Sequence, residues 1–294
     1  MIRRVVTVSQ RHTLRVRDNA LLLIRDGREV ARVPLEDLGI LILESAEIDL
    51  SVSLLSALAV NDCAVAVCGP NHLPCAYQLP YPGHGLHPQI LRGQMAATLP
   101  TKKRLWACLI QTKIRNAAVA CRQLEKKDGG LMEMAKRVKS GDPGNVEAQA
   151  ATVAFQALFG SAFRRDADGA GRNSMLNYGY AIVRAAVARA AAGAGLHLAL
   201  GIWHRNRSDA YALADDMMEP LRPLVDRQVA SMPEPEDEYA DLKPTVKREL
   251  IGILAQTVVW KNRKTPLLTA LELYAAAFRD ALIENKKETP CPLL

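Results

Sequence analysis

The chain has 294 residues, of which 49% are apolar and 23% charged, and its formal net charge is +7. The length favours two domains over one, and the apolar fraction is sufficient for a packed core. The sequence has no run of about 18 or more uncharged apolar residues and no secretion-like N-terminal segment, so we expect a soluble, cytoplasmic protein with no membrane partner. The positive charge favours a polyanionic partner, because each neutralised phosphate releases counterions.

The first part of the chain alternates short apolar segments with turn signals, which is typical of β-strands. The predicted strands are Val5–Val8, Thr13–Val16, Ala20–Ile24, Glu29–Val33, Leu38–Leu43 and Ala64–Val67. Between two of them, Asp26-Gly27 indicates a tight hairpin, because this pair supplies the positive φ that such a turn requires. Helical periodicity over Ser51–Val60 follows Asp49, the expected N-cap. These elements predict a small β-sheet domain with one helix over residues 1–79.

Prolines and glycines interrupt regular structure over residues 80–88, which we predict to be a linker. Beyond it, the sequence carries long amphipathic segments. The predicted helices are Gln89–Leu99, Lys102–Glu125, Leu131–Lys139, Val146–Phe163, Ser174–Gly193, Ala210–Ser231, Thr245–Val259 and Pro266–Glu284. The tail from Asn285 to Leu294 is expected to be loosely held. The predicted fold class is therefore α+β, with a small N-terminal β-sheet domain followed by a larger all-α domain over residues 89–294.

Six cysteines in a chain without a secretion-like segment indicate reduced thiols. Cys68, His72 and Cys75 are close enough in sequence to suggest zinc, but they lack a CxxC pair and a clear fourth ligand. Cys63 and Cys68 also bracket the apolar run Ala64–Val67. Burial in or beside a strand is the better explanation for these cysteines.

Basic residues cluster in a segment of about forty residues that contains few acids. They are Lys102, Lys103, Arg104, Lys113, Arg115, Arg122, Lys126, Lys127, Lys136, Arg137 and Lys139. This composition is typical of a surface that contacts nucleic-acid phosphates. A solvated helix face has the same composition, so both interpretations stay open.

Glu147 follows a Gly-rich and Asn-containing turn and lies in the first turn of a predicted helix, with Asn145 as the expected N-cap. A favourable interaction with the helix dipole is sufficient to explain a glutamate at this position. The neighbouring alanines, Ala148, Ala150 and Ala151, nevertheless leave room for a bulky group beside it. Glu147 is therefore a candidate for chemistry only in combination with other groups.

His204 ends the apolar segment Leu196–Trp203, where a polar stretch begins. A histidine at such a boundary is either a ligand held by rigid packing or a core-edge residue bonded to the backbone. Asp215 and Asp216 lie four and three residues before Glu219, a spacing that predicts one shared helical face. Because the same segment is strongly apolar, these carboxylates need a cation or an arginine as a partner.

Carboxylate oxygens and an imidazole together suit Mg²⁺ or Mn²⁺ and leave coordination positions open for a phosphate and a nucleophile. A zinc-only site is less suitable, because no cysteine lies near these motifs. The residues themselves therefore favour metal-assisted chemistry on nucleic acid.

Three sequence blocks lie in this region: NSMLNYGYA over 173–181, GLHLALGIWH over 195–204 and LADDMMEPLRPLVD over 213–226. They resemble the signature blocks of the CRISPR adaptation integrase family, the endonucleases that insert spacers. Residues 33–43 and 54–59 resemble the β-domain of the same family, so the resemblance covers nearly the whole chain. Within the family, the chain is most similar to the short members of type II systems.

The resemblance implies that Glu147, His204 and Glu219 form a divalent-metal triad for Mg²⁺ or Mn²⁺. It places Asp216 beside the triad, either as an additional group or as a partner of a ligand, whereas Asp215 is a weaker candidate. Tyr178 matches a tyrosine near the family's active site. The candidate catalytic residues are therefore Glu147, His204, Glu219, Asp216 and Tyr178.

The resemblance also implies a reaction and a set of partners. The reaction is a transesterification in which a DNA 3′-hydroxyl attacks a phosphodiester of the CRISPR repeat. The implied partners are double-stranded DNA, a second copy of the chain, a small ferredoxin-like companion protein and the effector nuclease of the system. Trp203 departs from the family pattern, since related sequences often have a histidine there, and an auxiliary role at that position is not expected.

Two other functions remain compatible with the same residues. A metal-dependent nuclease would cut free or branched DNA with the same ligands but without joining ends. A non-catalytic, basic DNA-binding scaffold would use the acids only to stabilise helices.

Overall fold

The N-terminal part of the chain forms two four-stranded sheets in this computed structural model, which describes residues 4–70, 74–80, 85–204, 209–235 and 242–294. The strands are β1 (Arg4–Val8), β2 (His12–Arg17), β3 (Ala20–Arg25), β4 (Arg28–Pro34), β5 (Leu38–Leu43), β6 (Ile48–Leu50), β7 (Ala64–Cys68) and β8 (Pro74–Gln78). One sheet has the order β4-β3-β2-β6 and the other the order β1-β5-β7-β8. The helix between β6 and β7 is α1 (Val52–Val60).

The turn between β3 and β4 confirms the predicted hairpin. Asp26 and Gly27 have φ angles of 51° and 74°, and the flanking strands pair in antiparallel fashion. Positive φ at both central residues gives the turn a twist that matches the strands. The N-cap of α1, in contrast, is Ser51 rather than the expected Asp49, because the Ser51 hydroxyl accepts the N–H of Leu54.

Strand β5 is buried along its whole length and separates two hydrophobic cores. Ile40 and Ile42 belong to the larger core, which the helices dominate. Leu41 and Leu43 belong to the smaller core, which α1 covers. Because successive side chains of a strand face opposite sides, β5 contributes to both cores at once. The predicted domain boundary at residue 79 remains a prediction.

The rest of the chain is mostly helical, in agreement with the predicted α+β class. The helices are α2 (His87–Ala96), α3 (Leu99–Gln123), α4 (Leu131–Arg137), α5 (Val146–Phe159), α6 (Arg172–Gly193), α7 (Ala212–Met218), α8 (Arg222–Ser231), α9 (Pro244–Ile251) and α10 (Leu267–Ile283). Part of the predicted linker, residues 81–84, lies outside the described residues. No helix in the described ranges is long and apolar enough to cross a membrane.

The prediction of one helix over Ala210–Ser231 is wrong, because a 3₁₀ turn over Glu219–Leu221 separates α7 from α8. Pro220 and Pro223 lie at the break. Proline lacks a backbone N–H and fits the first turn of a new helix better than a helix interior. The break gives Glu219 a backbone position that a continuous helix would not provide.

The prediction that the C-terminal part is all-α is also wrong. Strands β9 (Thr257–Trp260) and β10 (Arg263–Pro266) form an antiparallel hairpin where the predicted helix Thr245–Val259 was to end. The turn residues Lys261 and Asn262 have φ angles of 45° and 65°. The β-branched run before this turn favours a strand over a helix.

The C-terminal tail is bound rather than loosely held, which corrects the prediction for residues 285–294. Val259 and Leu293 exchange two backbone hydrogen bonds of 2.7 and 2.9 Å. The amide group of Asn116 donates to the carbonyls of Pro220 and Pro292 and accepts the N–H of Leu294. The tail is thereby connected to the 3₁₀ turn that carries Glu219.

The six cysteines are free thiols, as predicted. Cys63 is buried, and Cys68 is the last residue of β7. His72, the middle member of the disfavoured zinc grouping, lies outside the described residues.

Candidate active site

Two of the candidate acids meet at one lysine. The Nζ atom of Lys113, in α3, lies 2.7 Å from Oε1 of Glu147 and 2.5 Å from Oε2 of Glu219. The side chains of Lys113, Glu147 and Glu219 are 17%, 27% and 3% exposed. Because the three charges are largely shielded from water, each depends on the others for compensation.

Asp142 fixes the helix start that carries Glu147. Its two carboxylate oxygens accept the backbone N–H groups of Val146, at 3.0 Å, and Glu147, at 2.9 Å. Asn145 occupies the N-cap position, as predicted, but it has a left-handed φ of 47° and its side chain makes no capping bond. The backbone of Glu147 is held by the carboxylate of Asp142 instead.

Two cations stabilise the ionised form of Glu219. Arg222 donates from Nε to Oε1 of Glu219 at 2.7 Å, on the opposite carboxylate oxygen from Lys113. Burial by itself raises the pKa of Glu219, but the positive charges of Arg222 and Lys113 outweigh burial and lower the pKa to about 2. The carboxylate is thus held as an oriented anion in the core.

Asp216 organises the segment that ends at His204. Its fully buried carboxylate accepts the backbone N–H groups of Ile202, Trp203 and His204 at 2.6, 2.9 and 3.1 Å. The loop approaches so closely that a Cβ atom on Gly201 would lie 2.9 Å from Oδ2 of Asp216. Glycine at position 201 therefore permits the loop to wrap around the carboxylate.

The same carboxylate sets the orientation of the imidazole. Nδ1 of His204 lies 2.6 Å from Oδ1 of Asp216, which leaves Nε2 as the other ring nitrogen. This hydrogen bond to Asp216 raises the pKa of His204, and it outweighs the opposing effect of burial. A carboxylate on one imidazole nitrogen is the usual support for a histidine that binds a metal through the other.

Trp203 packs the loop from the side of α3. Its ring stacks on Trp106 with centroids 5.3 Å apart and an angle of 8° between the planes. Trp106 also meets the ring of His204 edge-on, at 5.6 Å and 89°. Rigid aromatic packing therefore complements the hydrogen bonds of Asp216 in holding His204 in place.

A cavity of about 280 Å³ lies beside the ion pairs. Its charged and polar lining consists of Lys113, Glu147, Arg165, Tyr180, Glu219, Arg222 and Asp226. The Tyr180 hydroxyl donates to Asp226, and burial raises the pKa of Asp226 to about 6. Tyr180 therefore borders the candidate site.

Tyr178 is not brought to this cavity. Its hydroxyl donates to Glu44, at the end of β5, and the Lys247 ammonium lies 5.8 Å from its ring centroid. Two positions along a helix differ by about 200° of rotation, so Tyr178 and Tyr180 face opposite sides of α6. The structure thus does not bring Tyr178 together with Glu147 and Glu219, and its catalytic role stays a prediction.

Asp215, Asp216 and Glu219, which the sequence predicted to share one helical face, bind different partners. Asp215 pairs with Arg184 at 3.7 Å, whereas Asp216 turns to the loop that ends at His204.

Glu147 and Glu219 offer oxygen donors that suit a hard divalent cation, but the ammonium of Lys113 lies between them, and the structure does not bring His204 to the same point. Within the described residues, no three His, Cys, Asp or Glu side chains converge as a ready metal-binding group. A single nitrogen atom nevertheless contacts a carboxylate oxygen of both Glu147 and Glu219, so one cation fits between them. A metal ion at that point requires the ammonium of Lys113 to move.

Sequence reasoning assigned Lys113 to the phosphate-contacting surface and missed its position in the site. The available signal was its place on the apolar face of α3, where Leu109, Ile110, Ile114 and Ala117 flank it at helical spacing and are buried. A lysine in such a position needs an anionic partner.

The remaining basic residues of α3, α4 and their connections are largely at the surface. The exposed ones are Lys103, Arg115, Arg122, Lys127, Lys136, Arg137 and Lys139. Two of them have acidic partners: Arg122 pairs with Asp128 and Lys136 with Glu133. The others present positive charge to solvent near the helix that carries Lys113.

Comparisons with known proteins agree with this fold. The sequence profile of "CRISPR associated protein Cas1" matches residues 5–236. The chain is 38% identical over 274 residues to the CRISPR-associated endonuclease Cas1 of Neisseria meningitidis serogroup C (strain 8013), covering 92% of this chain and 90% of that protein.

Two solved structures share the fold. One is a casposase bound to integration product, with a TM-score of 0.76 and 19% identity over 97% of this chain and 92% of that one. The other is a Cas6-RT-Cas1–Cas2 complex, with a TM-score of 0.72 and 16% identity over 97% of this chain and 35% of that one. The family profile and the relative from Neisseria confirm the resemblance seen in the sequence, and the chain belongs to the Cas1 family of CRISPR-associated proteins.

Proposed function

We propose that the chain is a divalent-metal-dependent DNA integrase that inserts DNA segments as new spacers into a CRISPR array. The observation that carries this proposal is the convergence of Glu147 and Glu219 on one cationic position. His204, which Asp216 orients, is the third ligand that the family resemblance implies. The relative from Neisseria is named an endonuclease, and the casposase structure contains an integration product; both support a nuclease or integrase activity.

Each residue of the site has a distinct part in this proposal. Glu147 and Glu219 offer hard oxygen ligands, and His204 offers Nε2 because Asp216 occupies Nδ1. Asp216 is a positioning residue, and Arg222 keeps Glu219 ionised and oriented. Mg²⁺ or Mn²⁺ held there would polarise the scissile phosphate and lower the pKa of the attacking 3′-hydroxyl.

The exposed cations of α3 and α4 are proposed to contact the DNA backbone. Phosphate contacts position the duplex and carry little sequence information. The chemistry then depends mainly on alignment and charge stabilisation, without a covalent enzyme intermediate.

The proposed partners follow the family. They are double-stranded DNA, a second copy of this chain, a small ferredoxin-like companion protein and the effector nuclease of the system. The solved complex that contains Cas1 and Cas2 supports association with another CRISPR protein.

A strand-transfer assay with Glu147→Gln tests the proposal. With Mn²⁺, the companion protein and labelled DNA bearing free 3′ ends, the unaltered chain is expected to give joined products. Glu147→Gln should bind the duplex with near-normal affinity and lose at least about 100-fold in joining rate, because a metal ligand is weakened while the basic surface is untouched. Glu133→Gln, which changes an exposed glutamate of α4, is the matched control.

The alternatives give different results in the same assay. Shortened fragments without joined products indicate a nuclease that does not integrate. An unchanged outcome in Glu147→Gln indicates a DNA-binding scaffold and contradicts the proposal.

A further inference from the structure

The position between Glu147 and Glu219 is filled by a cation of the protein itself. Lys113 Nζ contacts both carboxylates, at 2.7 and 2.5 Å, and no water or ion is needed to bring them together. Arg222 binds the other oxygen of Glu219 and lies outside this gap. Of these two cations, Lys113 is therefore the one that occupies the space between the acids.

Lys113 and a metal ion cannot use this space together. Mg²⁺ binds carboxylate oxygens at about 2.0–2.1 Å and demands a nearly complete octahedral shell. An ammonium within hydrogen-bonding distance of the same two oxygens occupies the same volume and repels the incoming dication. Binding of one cation thus requires departure of the other.

The structure also provides a place for the displaced ammonium. Lys113 lines the cavity of about 280 Å³, whose walls include the carboxyl group of Asp226. Asp226 accepts a hydrogen bond from Tyr180 and is buried, so a second polar partner is compatible with its position. The flexible stem of lysine allows its ammonium to turn between two acceptors.

We propose that Lys113 holds the place of the divalent cation: its ammonium bridges Glu147 and Glu219 in the metal-free protein and leaves the gap when metal binds. The inference rests on the proposed metal-dependent function. It assigns Lys113 two effects, stabilisation of the metal-free protein and weakening of metal affinity. The second effect follows because only the fraction of molecules with an open gap is competent to bind metal.

Metal-binding calorimetry with Lys113→Met tests the second effect. This change keeps an apolar stem of similar length and removes the competing charge. If the gap is open in about 10% of molecules or fewer, Lys113→Met should bind Mn²⁺ at least about tenfold more tightly than the unaltered protein. Arg115→Met, which removes an exposed positive charge two positions along the same helix, is the matched control and should change the affinity little.

Thermal unfolding with and without Mn²⁺ tests the first effect. Without metal, Lys113→Met should unfold roughly 5 °C lower than the unaltered protein, because it leaves buried carboxylates short of a partner. In saturating Mn²⁺ the difference should disappear, since the metal then neutralises the acids. A purely structural lysine would give the same deficit in both conditions.

The outcomes separate this inference from the proposed function. Equal Mn²⁺ affinity in the unaltered protein and Lys113→Met, with a deficit in unfolding temperature that metal does not remove, overturns the role of Lys113 alone. Absence of Mn²⁺ binding in both proteins overturns the proposed metal dependence as well. Lys113→Gln, a polar replacement without charge, gives the same comparison should Lys113→Met fail to fold.

Discussion

At the scale of single residues, the carboxylate of Asp216 takes part in four hydrogen bonds. It receives three backbone N–H groups and the imidazole of His204, so its carboxylate links loop geometry to imidazole chemistry. Asparagine has nearly the same shape as aspartate, but only one of its two terminal groups, the oxygen, accepts hydrogen bonds. Asp216→Asn therefore separates shape from charge.

We expect Asp216→Asn to lower the pKa of His204 towards its ordinary value of about 6.5. The hydrogen bond to Asp216 raises this pKa in the folded chain, so the stabilisation is fully present below the unfolded pKa of about 6.5. It is lost as the pH rises through the raised, folded-state pKa. NMR titration of the His204 ring in metal-free protein measures the change, with His204→Gln used to identify its signal.

The same variant should also lower the free energy of unfolding by about 2 kcal/mol, because a buried hydrogen-bond acceptor is lost. An equal pKa of His204 in the unaltered protein and in Asp216→Asn would contradict the assigned role of Asp216.

The candidate acids and histidine were predictable from local patterns, whereas their connections were not. Glu147, His204 and Glu219 each stand in a distinctive context within the sequence. The bridge through Lys113 joins α3 to elements far along the chain, and no local spacing indicates which acids a buried lysine meets. The opposite directions of Tyr178 and Tyr180 follow from helical rotation, but sequence does not show which side of α6 faces the cavity.

At the scale of elements, Asn116 connects the C-terminal tail to the turn that carries Glu219. Its amide group donates to Pro220 and Pro292, at 2.7 and 3.1 Å, and accepts from Leu294, at 3.2 Å. Asn116 is 1% exposed, so water does not replace these bonds when the side chain is removed.

Asn116→Ala is expected to lower the free energy of unfolding by about 2–4 kcal/mol, since it leaves several buried backbone groups without a partner. It should also weaken Mn²⁺ binding, because Pro220 directly follows Glu219 in the 3₁₀ turn. Denaturant unfolding and calorimetry measure the two effects. Gln123→Ala, at the exposed end of the same helix, is the control, and equal stability of the two variants would count against the connection.

Secondary structure was predictable where one local signal dominated. Asp26-Gly27 gave the hairpin between β3 and β4, and long amphipathic periodicity gave α3 and α6. The segment Thr245–Val259 was predicted to be a single helix because helical periodicity dominates its first part. Its β-branched end forms a strand that pairs with β10 across the turn Lys261-Asn262. The bound tail depends on a long-range bridge to Val259, which no local pattern reveals.

At the scale of the whole molecule, the candidate active site and the proposed DNA-contacting surface differ in chemistry. The buried site around Glu219 is organised by ion pairs, whereas the exposed cations of α3 and α4 face solvent. Changes to one surface should therefore leave the other largely intact.

The triple variant Lys103→Ala, Arg137→Ala and Lys139→Ala tests this separation. Duplex affinity should fall, and the slope of log affinity against log salt should decrease in magnitude by up to about 3, one for each lost phosphate contact. Mn²⁺ affinity should stay unchanged. A triple variant of Arg25, Arg28 and Lys264, exposed residues outside α3 and α4, is the control. An equal loss of duplex affinity in both triple variants would show that overall charge, rather than this surface, attracts DNA.

Anomalous diffraction from crystals soaked in Mn²⁺ shows whether Glu147, Glu219 and His204 bind one ion. We expect one strong peak in contact with Glu147, Glu219 and Nε2 of His204, with the ammonium of Lys113 moved out of the gap. A map without a peak there, with Lys113 still bridging the two acids at a Mn²⁺ concentration that supports strand transfer, would contradict this expectation.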